Sequence, residues 1–254
     1  MKKYKGIFIK NQEEINLMKR ANQIVATILE ELGSLVRPGI DTLALEEKAE
    51  ELCLQLGVKP AFKGYRGYPY ILCCSVNEQV VHGFPSKRVL QEGDILSIDC
   101  GVVYKGFYGD AARTFAVGEI SAEAKKLMQV TFDSLYKGIE EAKPGNNLYD
   151  ISAAIQNYVE SNGFYVIKRF VGHGIGVHLH EKPEVPNFVP VGAKKIVLKA
   201  GMTLAIEPMV ALGTDEVEIL ADQWTAVTKD RSLAAHFEHT IAVTSSGAMI
   251  LSEV

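Results

Sequence analysis

Four acidic residues stand inside runs of apolar residues that are typical of β-strands. They are Asp99, Asp110, Glu207 and Glu238. A carboxylate buried in such a strand is costly unless a partner compensates its charge, and one cation compensates several acids at once. The sequence therefore predicts a cation site. For Asp99 and Asp110 taken alone, the solvated face of an edge hairpin is the alternative interpretation.

A histidine in a glycine-rich segment adds a fifth donor. Glycines stand on both sides of His173 in the segment 172–180, which suits a tight loop or a close backbone approach to a ligand. Four oxygen donors and one imidazole do not match a structural zinc site, which favours cysteine and histidine. They match a pair of divalent ions about 3.5–4 Å apart that carboxylates bridge, as in co-catalytic hydrolases. Donor softness leaves manganese, iron, cobalt and zinc open.

A short turn positions the first two acids. Lys105-Gly106 lies between β-forming residues, and glycine tolerates the positive φ of a tight hairpin turn. A two-residue loop at this point places Asp110 opposite Gly101, so that the carboxylates of Asp99 and Asp110 share one face of the hairpin. The apolar run that carries Asp99 indicates a buried strand.

Helical patterns precede the candidate ligands in both halves of the chain. From Gln12 to about Leu35 apolar residues recur at helical spacing, and Pro38-Gly39 ends that pattern. The same plan begins again in the second half, where Pro144-Gly145 follows another helical pattern. Matching Pro-Gly pairs at equivalent places indicate an internal repeat.

The repeat extends to the acids themselves. Aligning similar Leu-x-x-Gly segments places Asp99 on Glu207. Self-similarity over so long a period indicates two related α+β halves rather than a solenoid, whose repeats are shorter. We predict a single domain spanning 1–254, with pseudo-symmetric halves at approximately 12–118 and 119–254.

The last part of the chain shows three strand patterns. They cover residues 216–220, 224–228 and 236–243, and we expect them to form a meander. Three histidines receive no role, because a lone histidine in a strand or loop is most often a packed, hydrogen-bonded residue. These are His178, His236 and His239.

Composition narrows the class of protein. The chain has 254 residues, 47% of them hydrophobic, and a formal net charge of −4, so it has enough apolar residues for a substantial core. Acidic and basic residues are mixed along the sequence, and no basic stripe or cationic amphipathic segment suggests nucleic acid or a membrane surface. A peptide or small-molecule substrate is expected.

Targeting signals and cysteine pattern indicate a compartment. The apolar run near the N-terminus is too short for a signal peptide, and no segment is long enough for a membrane span. The four cysteines form neither a CxxC pair nor a disulfide framework. A reducing cytoplasm is the predicted location.

The order of these motifs resembles a known family. The segments are Val81-His82-Gly83, SIDCG followed by Gly109-Asp110, GHGIGVHLHEKP, GMTLAIEPM and HFEHT. In this order they resemble the methionine aminopeptidases of the bacterial type I form, from about Asn11 to Met249. The resemblance implies the pita-bread fold, an α+β architecture in which helices cover a curved antiparallel sheet of two pseudo-symmetric halves.

The resemblance also implies roles for the candidate residues. It makes five side chains the ligands of two divalent ions (cobalt, iron, manganese or zinc), with Asp110 and Glu238 bridging. These ligands are Asp99, Asp110, His173, Glu207 and Glu238. A hydroxide activated by the two ions then attacks the carbonyl of the first peptide bond.

Three catalytic roles follow from the same resemblance. Glu207 carries the proton of the attacking water toward the leaving amine. His180 stabilises the developing oxyanion, and His82 contacts the scissile amide.

The methionine pocket implied by the family is apolar and closed. Its positions are Phe62, Tyr65, Tyr68, Cys73, Leu179 and Trp224. Three residues depart from the common pattern: Phe62 stands where cysteine is frequent, Leu179 where phenylalanine is frequent, and Arg66 where histidine or asparagine is usual. These departures concern the shape of the pocket and not the ligand set.

The expected activity is removal of the N-terminal methionine from peptides and nascent proteins, with a preference for a small second residue. The resemblance further suggests ribosome association and a monomer. Two alternatives remain. One is a proline-specific peptidase of the same superfamily, aminopeptidase P or prolidase, which uses the same ligands. The other is an inactive binding module, although all five ligand positions carry competent donors.

Overall fold

The structure is a computed structural model, and it describes residues 2–253. Four α-helices occur in this range: α1 (Gln12–Leu35), α2 (Thr42–Leu56), α3 (Ala122–Glu141) and α4 (Leu148–Ser161). The strands of the first half are β1 (Lys2–Tyr4), β2 (Ile7–Ile9), β3 (Lys59–Pro60), β4 (Leu72–Val76), β5 (Gln79–Val81), β6 (Ile95–Tyr104) and β7 (Phe107–Ala116). Those of the second half are β8 (Tyr165–Val166), β9 (Gly172–Gly174), β10 (Glu181–Val185), β11 (Thr203–Ile206), β12 (Met209–Ala211), β13 (Val217–Ile219), β14 (Ala226–Thr228), β15 (Ala234–His236), β16 (Glu238–Thr244) and β17 (Gly247–Ile250).

Helix α1 begins and ends where the sequence predicts. The side chain of Asn11 accepts a hydrogen bond from the backbone N–H of Glu14, and the Glu14 carboxylate accepts one from the Asn11 N–H. This reciprocal capping box satisfies two N–H groups that the helix itself leaves free. The helix then runs to Leu35, so the predicted bounds are confirmed.

One large antiparallel sheet carries most of the strands. Its order is β10, β9, β11, β16, β7, β6 and β3, with β17 paired to β16 and β4 paired to β6. Strands β7 and β16 meet in the middle, so the sheet joins strands from both halves of the chain. The hairpin of β6 and β7 has the predicted register, since Gly101 lies opposite Asp110.

One pair of helices from each half of the chain packs on the strands of the sheet. Helices α1 and α2 share a core with β4 and β6, whereas α3 and α4 share another with β11 and β16. Helix α1 lies directly on the hairpin, because a side chain at Gly109 would overlap the backbone of Ala21 and Asn22. The predicted helices are therefore in place in both halves. The boundaries of the halves at 12–118 and 119–254 stay a prediction.

The predicted meander at the end of the chain is wrong in its third strand. Strands β13 and β14 do pair with each other, with Val217 opposite Thr228. However, β14 continues to β5, and the pattern predicted at 236–243 is divided at Phe237 between two sheets. Strand β15 pairs with β12, and β16 enters the large sheet. Long-range packing decides such pairings, and a local pattern does not contain it.

Among residues 2–253, no helix combines the length and the apolar character that crossing a membrane requires.

Candidate metal centre

The hairpin of β6 and β7 presents the first two acids. Asp99 lies opposite Ala112, and Asp110 lies opposite Gly101, so both acids occupy alternate positions on one face. Both side chains line the same cavity of about 150 Å³. The backbone N–H of Asp110 donates to the Asn22 side chain of α1 at 3.1 Å, which ties the hairpin to the helix. The shared face predicted from the turn is confirmed.

Strands of the second half bring the other three donors to this cavity. Glu238 begins β16 and lies opposite Ala112 of β7, next to the hairpin acids. His173 in β9 lies opposite Ala205 of β11, and Glu207 follows the end of β11. All three line the cavity with Asp99 and Asp110. The structure thus brings together the five side chains that the sequence analysis selected.

The glycines beside His173 allow neighbouring strands of the sheet to pack closely. A side chain at Gly172 would overlap the carbonyl oxygen of Ala205, and one at Gly174 would overlap the carbonyl oxygen of Lys182. The neighbouring strands β11 and β10 therefore approach His173 more closely than any other residue type would permit. This close approach holds the imidazole against the ends of the acid-bearing strands.

Distances within the cluster suit metal ligands better than hydrogen bonds. The Nε2 atom of His173 lies 3.8 Å from Asp110 Oδ2 and 3.6 Å from Glu207 Oε1. Both separations exceed the roughly 3.2 Å limit of a good N–H···O hydrogen bond. Ligand atoms of Asp110, His173 and Glu238 all lie within 4.8 Å of one another. Donors that converge without touching leave room for an ion between them.

Burial leaves oxygen atoms of these acids without partners. Oδ1 of Asp99, Oδ1 of Asp110 and Oε1 of Glu238 are buried and accept no hydrogen bond from residues 2–253. Buried polar atoms in native proteins are nearly always paired, so this cluster of orphaned oxygens requires an explanation. A hard divalent cation accepts such oxygens as ligands, and the donor set therefore fits a metal centre.

The electrostatics of the cluster lead to the same conclusion. Burial raises the pKa of Glu207 to about 8, and burial together with the charge of Glu207 raises the pKa of Asp99 to about 7. Burial and neighbouring carboxylates also raise the pKa values of Asp110 and Glu238. The ionised cluster thus repels itself unless positive charge lies within it.

The imidazole of His173 remains neutral in this setting. Burial, together with a smaller contribution from the neighbouring His180 ring, lowers the pKa of His173 to about 3. A neutral imidazole keeps a lone pair, which is the form that binds a metal ion. His173 is therefore a competent ligand at neutral pH.

Loops supply the two other histidines at the mouth of the cavity. His180 is exposed, its ring centroid lies 4.2 Å from that of His173, and its Nδ1 lies 2.8 Å from the hydroxyl of Tyr65. His82 has a φ of 61°, and burial lowers its pKa to about 4. Both rings line the cavity beside the acids.

A buried ion pair holds the loop that carries His180. The Lys10 ammonium pairs with the Glu181 carboxylate, whose other oxygen accepts the backbone N–H groups of Val177 and His178 at 2.8 and 3.2 Å. Both charged side chains are almost completely buried. Charge-assisted hydrogen bonds from the backbone of this loop to Glu181 thus hold the residues just before His180 in place.

Aromatic and apolar residues form the remaining wall of the same cavity. The six positions that the sequence analysis assigned to the methionine pocket all line it: Phe62, Tyr65, Tyr68, Cys73, Leu179 and Trp224. The rings of Tyr68 and Trp224 pack edge to face with centroids 5.1 Å apart. The Tyr68 hydroxyl donates to the carbonyl oxygen of Leu72 at 2.9 Å. This wall is apolar toward the cavity and hydrogen-bonded behind it.

Comparison with known proteins identifies the family. The sequence model of metallopeptidase family M24 matches residues 16–245. This chain belongs to that family. A methionine aminopeptidase of Clostridium perfringens is 53% identical over 246 residues, which cover 97% of this chain and 98% of that protein. The crystal structure of methionine aminopeptidase from Thermotoga maritima matches with a TM-score of 0.95 and 51% identity, over 98% of this chain and 100% of that chain.

These matches confirm the resemblance to methionine aminopeptidases and the predicted α+β pita-bread fold. Membership of M24 also means a metallopeptidase, a hydrolase that uses divalent metal. The proline-specific alternative is not favoured. The Xaa-Pro dipeptidase of Bacillus anthracis has 25% identity and a TM-score of 0.77, and the match covers only 62% of that chain.

One residue beside the metallopeptidase cluster was missed by the sequence analysis. His236, treated there as a packing histidine, is buried with its Nε2 3.6 Å from Oε2 of Glu207. One of its ring nitrogens also lies within 4.8 Å of carboxylate oxygens of Glu207 and Glu238. The signal available in the sequence was the spacing His236-x-Glu238, which in an extended segment places both residues on one side.

The other two unassigned histidines lie elsewhere. His239 hydrogen-bonds to the hydroxyls of Ser252 and Tyr136 at 2.8 and 3.2 Å, away from the cavity. His178 is exposed and lies beside Phe8. Arg66, noted as a departure from the family pattern, lines the cavity and lies over the ring of Tyr65.

Proposed function

We propose that this protein removes the N-terminal methionine from peptides and nascent proteins whose second residue is small. The observation that carries the proposal is the cluster of orphaned buried carboxylate oxygens in a cavity whose other wall is aromatic and apolar. The full-length match to methionine aminopeptidases supports the same substrate.

Five residues would hold two divalent ions: Asp99, Asp110, His173, Glu207 and Glu238. Four ionised carboxylates carry the negative charge that two divalent ions cancel, which supports a count of two. Asp110 and Glu238 lie on the adjacent central strands β7 and β16, and they would be the ligands shared by both ions. When bound, the ions activate water as a nucleophile and polarise the peptide carbonyl. The donor set leaves cobalt, iron, manganese and zinc as candidates.

Glu207 is the proton carrier of this scheme. Its carboxylate lies just after the end of β11, between the imidazoles of His173 and His236, and it lines the cavity in which the peptide would bind. A carboxylate in this place accepts the proton of the attacking water and returns it to the leaving amine.

Tyr65 prepares His180 for its role. When the Tyr65 hydroxyl donates to Nδ1, the single proton of the neutral ring lies on Nε2. That N–H then points away from Tyr65 and is available to the oxyanion that develops on the peptide carbonyl. His82, half-buried between Phe170 and Trp224, contacts the scissile amide.

The size of the cavity explains the choice of side chain. At about 150 Å³ it is smaller than the roughly 300 Å³ at which ligand pockets for drug-sized molecules begin, and it suits a single side chain. Methionine is long, unbranched and flexible, so it fits a narrow apolar cavity that a branched residue does not enter. Phe62 and Leu179 stand in that wall together, so the larger residue offsets the smaller.

The setting of the reaction is also part of the proposal. All four cysteines are free and buried, which supports a reducing cytoplasm as the compartment. We propose that the protein acts there as a monomer on chains emerging from the ribosome. The whole chain serves as one catalytic domain with two related halves.

The test is metal-dependent release of methionine. The protein is stripped with a chelator, reloaded with defined divalent metals, and assayed on Met-Ala-Ser and on a Xaa-Pro peptide. We expect release of methionine only after reloading, and little cleavage of the Xaa-Pro peptide. Absence of metal-dependent methionine release would overturn the proposal, and preferential Xaa-Pro cleavage would favour the proline-specific alternative.

A further inference from the structure

His236 is a buried polar group that the scheme above does not use. It is the last residue of β15, its exposed fraction is 1%, and its Nε2 has no hydrogen-bond partner among residues 2–253. An unpaired buried imidazole nitrogen costs free energy, so a group beside it should satisfy it.

The nearest charged group is the carboxylate of Glu207. Its two oxygens face two different rings, since Oε1 lies 3.6 Å from Nε2 of His173 and Oε2 lies 3.6 Å from Nε2 of His236. This separation is as long as that from His173 and exceeds a normal N–H···O distance of about 2.9 Å, but His236, unlike His173, does not line the cavity that would hold the ions. A small rotation of the carboxylate closes that gap.

The backbone of His236 is held firmly. The Thr114 hydroxyl accepts the His236 N–H at 3.0 Å and donates to the His236 carbonyl oxygen at 2.7 Å. The Ser97 hydroxyl lies 2.8 Å from that of Thr114, and β15 pairs with β12 at Met209. The imidazole is therefore presented from a rigid support that belongs to the hairpin of the first half.

We propose that His236 is a positioning residue for Glu207. Its Nε2–H donates a hydrogen bond to Oε2, which would leave Oε1, the oxygen facing His173, free to hold an ion. Carboxylates that bind metals are usually held by hydrogen bonds from a surrounding group, and loss of that group typically weakens metal affinity or activity about 10–100-fold. The inference rests on the proposed metal centre and adds a sixth residue to it.

Direct binding of an ion by His236 is the competing outcome. The ligand atoms of Glu207, His236 and Glu238 lie within 4.8 Å of one another, which a shared ion would also explain. The two roles differ in what can replace the imidazole. A glutamine amide reproduces the N–H donor near the place of Nε2, but it does not reproduce an aromatic nitrogen ligand.

The test compares His236→Gln with His236→Leu, which has no donor. Cobalt is titrated into each stripped protein by calorimetry, the visible absorption spectrum of the bound cobalt is recorded, and kcat and KM are measured on Met-Ala-Ser. His239→Gln is the matched control, because it removes a half-buried histidine of the neighbouring strand β16 that lies outside the cavity.

We expect His236→Gln to keep the cobalt spectrum and affinity of the unmodified protein. His236→Leu should bind cobalt roughly 10–100-fold more weakly and lose kcat with little change in KM. Unchanged affinity and kcat in His236→Leu would overturn the proposal. A spectrum altered equally in both variants would show direct ligation and overturn it as well.

Two controls keep the result interpretable. If the unmodified protein binds no cobalt in the same titration, the proposed function fails, whereas normal binding by the unmodified protein and His236→Leu alike removes only the role of His236. Should the leucine variant not fold, His236→Asn takes its place, because its amide is one methylene shorter and does not reach Glu207.

Discussion

The cavity has two sides, and they differ in whether their polar groups have partners in the protein. The acidic floor (Asp99, Asp110, His173, Glu207 and Glu238) is carried by strands and, at Glu207, by the residue that follows one, and it holds buried oxygens without partners. The aromatic wall (Tyr65, Tyr68 and Trp224) is carried by loops, and its hydroxyl groups and rings contact other protein groups. The floor therefore needs a cation to be stable and active, whereas the wall is ready before any ligand arrives. Rigid strands suit the first task and adjustable loops the second.

The largest effect is expected from removing a bridging ligand of the acidic floor. Asp110→Ala should lose bound divalent metal and reduce turnover of Met-Ala-Ser by at least about 10³-fold, because in the proposed centre both ions would share this carboxylate. Metal content by elemental analysis and kcat measured on the same sample check the prediction. Asp94→Ala is the control, since Asp94 is a buried acid whose oxygens accept hydrogen bonds from Asn77 and Gln91. Equal metal content in the two variants would show that Asp110 is not a metal ligand.

Turnover should fall less when Glu207 can no longer carry a proton but can still bind metal. Glu207→Gln keeps an oxygen donor but does not carry the proton, so turnover should fall by about 10²–10³-fold while metal remains bound. Glu46→Gln is matched to it, because Glu46 is a buried carboxylate that accepts the N–H groups of Ile71 and Leu72 outside the cavity. Unchanged turnover in Glu207→Gln would exclude the role in proton transfer.

The aromatic wall should tolerate change better than the acidic floor. Tyr65→Phe removes the hydroxyl that faces His180 Nδ1 at 2.8 Å, and we expect kcat to fall roughly 10–100-fold with metal content unchanged. Tyr70→Phe, in the same aromatic cluster but outside the cavity lining, should have the kcat of the unmodified protein. A Tyr65→Phe variant with full kcat would mean that His180 needs no partner.

The smallest effect is expected from the apolar wall of the methionine pocket. Leu179→Ala enlarges the cavity, so KM for methionyl peptides should rise roughly tenfold while kcat changes little. Leu251→Ala is a suitable comparison, because Leu251 is buried in the same apolar cluster without lining the cavity and should alter stability alone. If both variants shift KM equally, Leu179 has no specific role in the pocket.

The contrast between floor and wall also marks what the sequence could predict. The hairpin register follows from the Lys105-Gly106 turn, because a short loop fixes which residues lie opposite, and Gly101 does face Asp110. The bounds of α1 follow from its apolar period and from the Pro38-Gly39 pair that ends it. Residues of the wall were located through the family resemblance, since no local pattern brings Tyr68 beside Trp224.

Non-local contacts account for what was missed. His236 lies beside Glu207 only because β15 pairs with β12 and not with the strand predicted as its neighbour in a meander. Its partner Thr114 comes from the hairpin of the other half. A sequence pattern records the alternation of one strand but not which distant strand lies next to it. The glycines around His173 were also interpreted incompletely, because the sequence suggested a tight loop or a close approach to a ligand. In the structure they permit the close approach of the neighbouring strands.

The central claim is that the acidic floor is a divalent metal centre, and direct metal analysis tests it. The stripped protein is reloaded with a single divalent metal, freed of excess metal, and its metal content per chain is measured beside that of Asp110→Ala and Asp94→Ala. We expect two ions per chain in the unmodified protein and in Asp94→Ala, and loss of metal in Asp110→Ala. A reloaded, folded protein that retains no divalent metal, or that retains the same amount without Asp110, would contradict it.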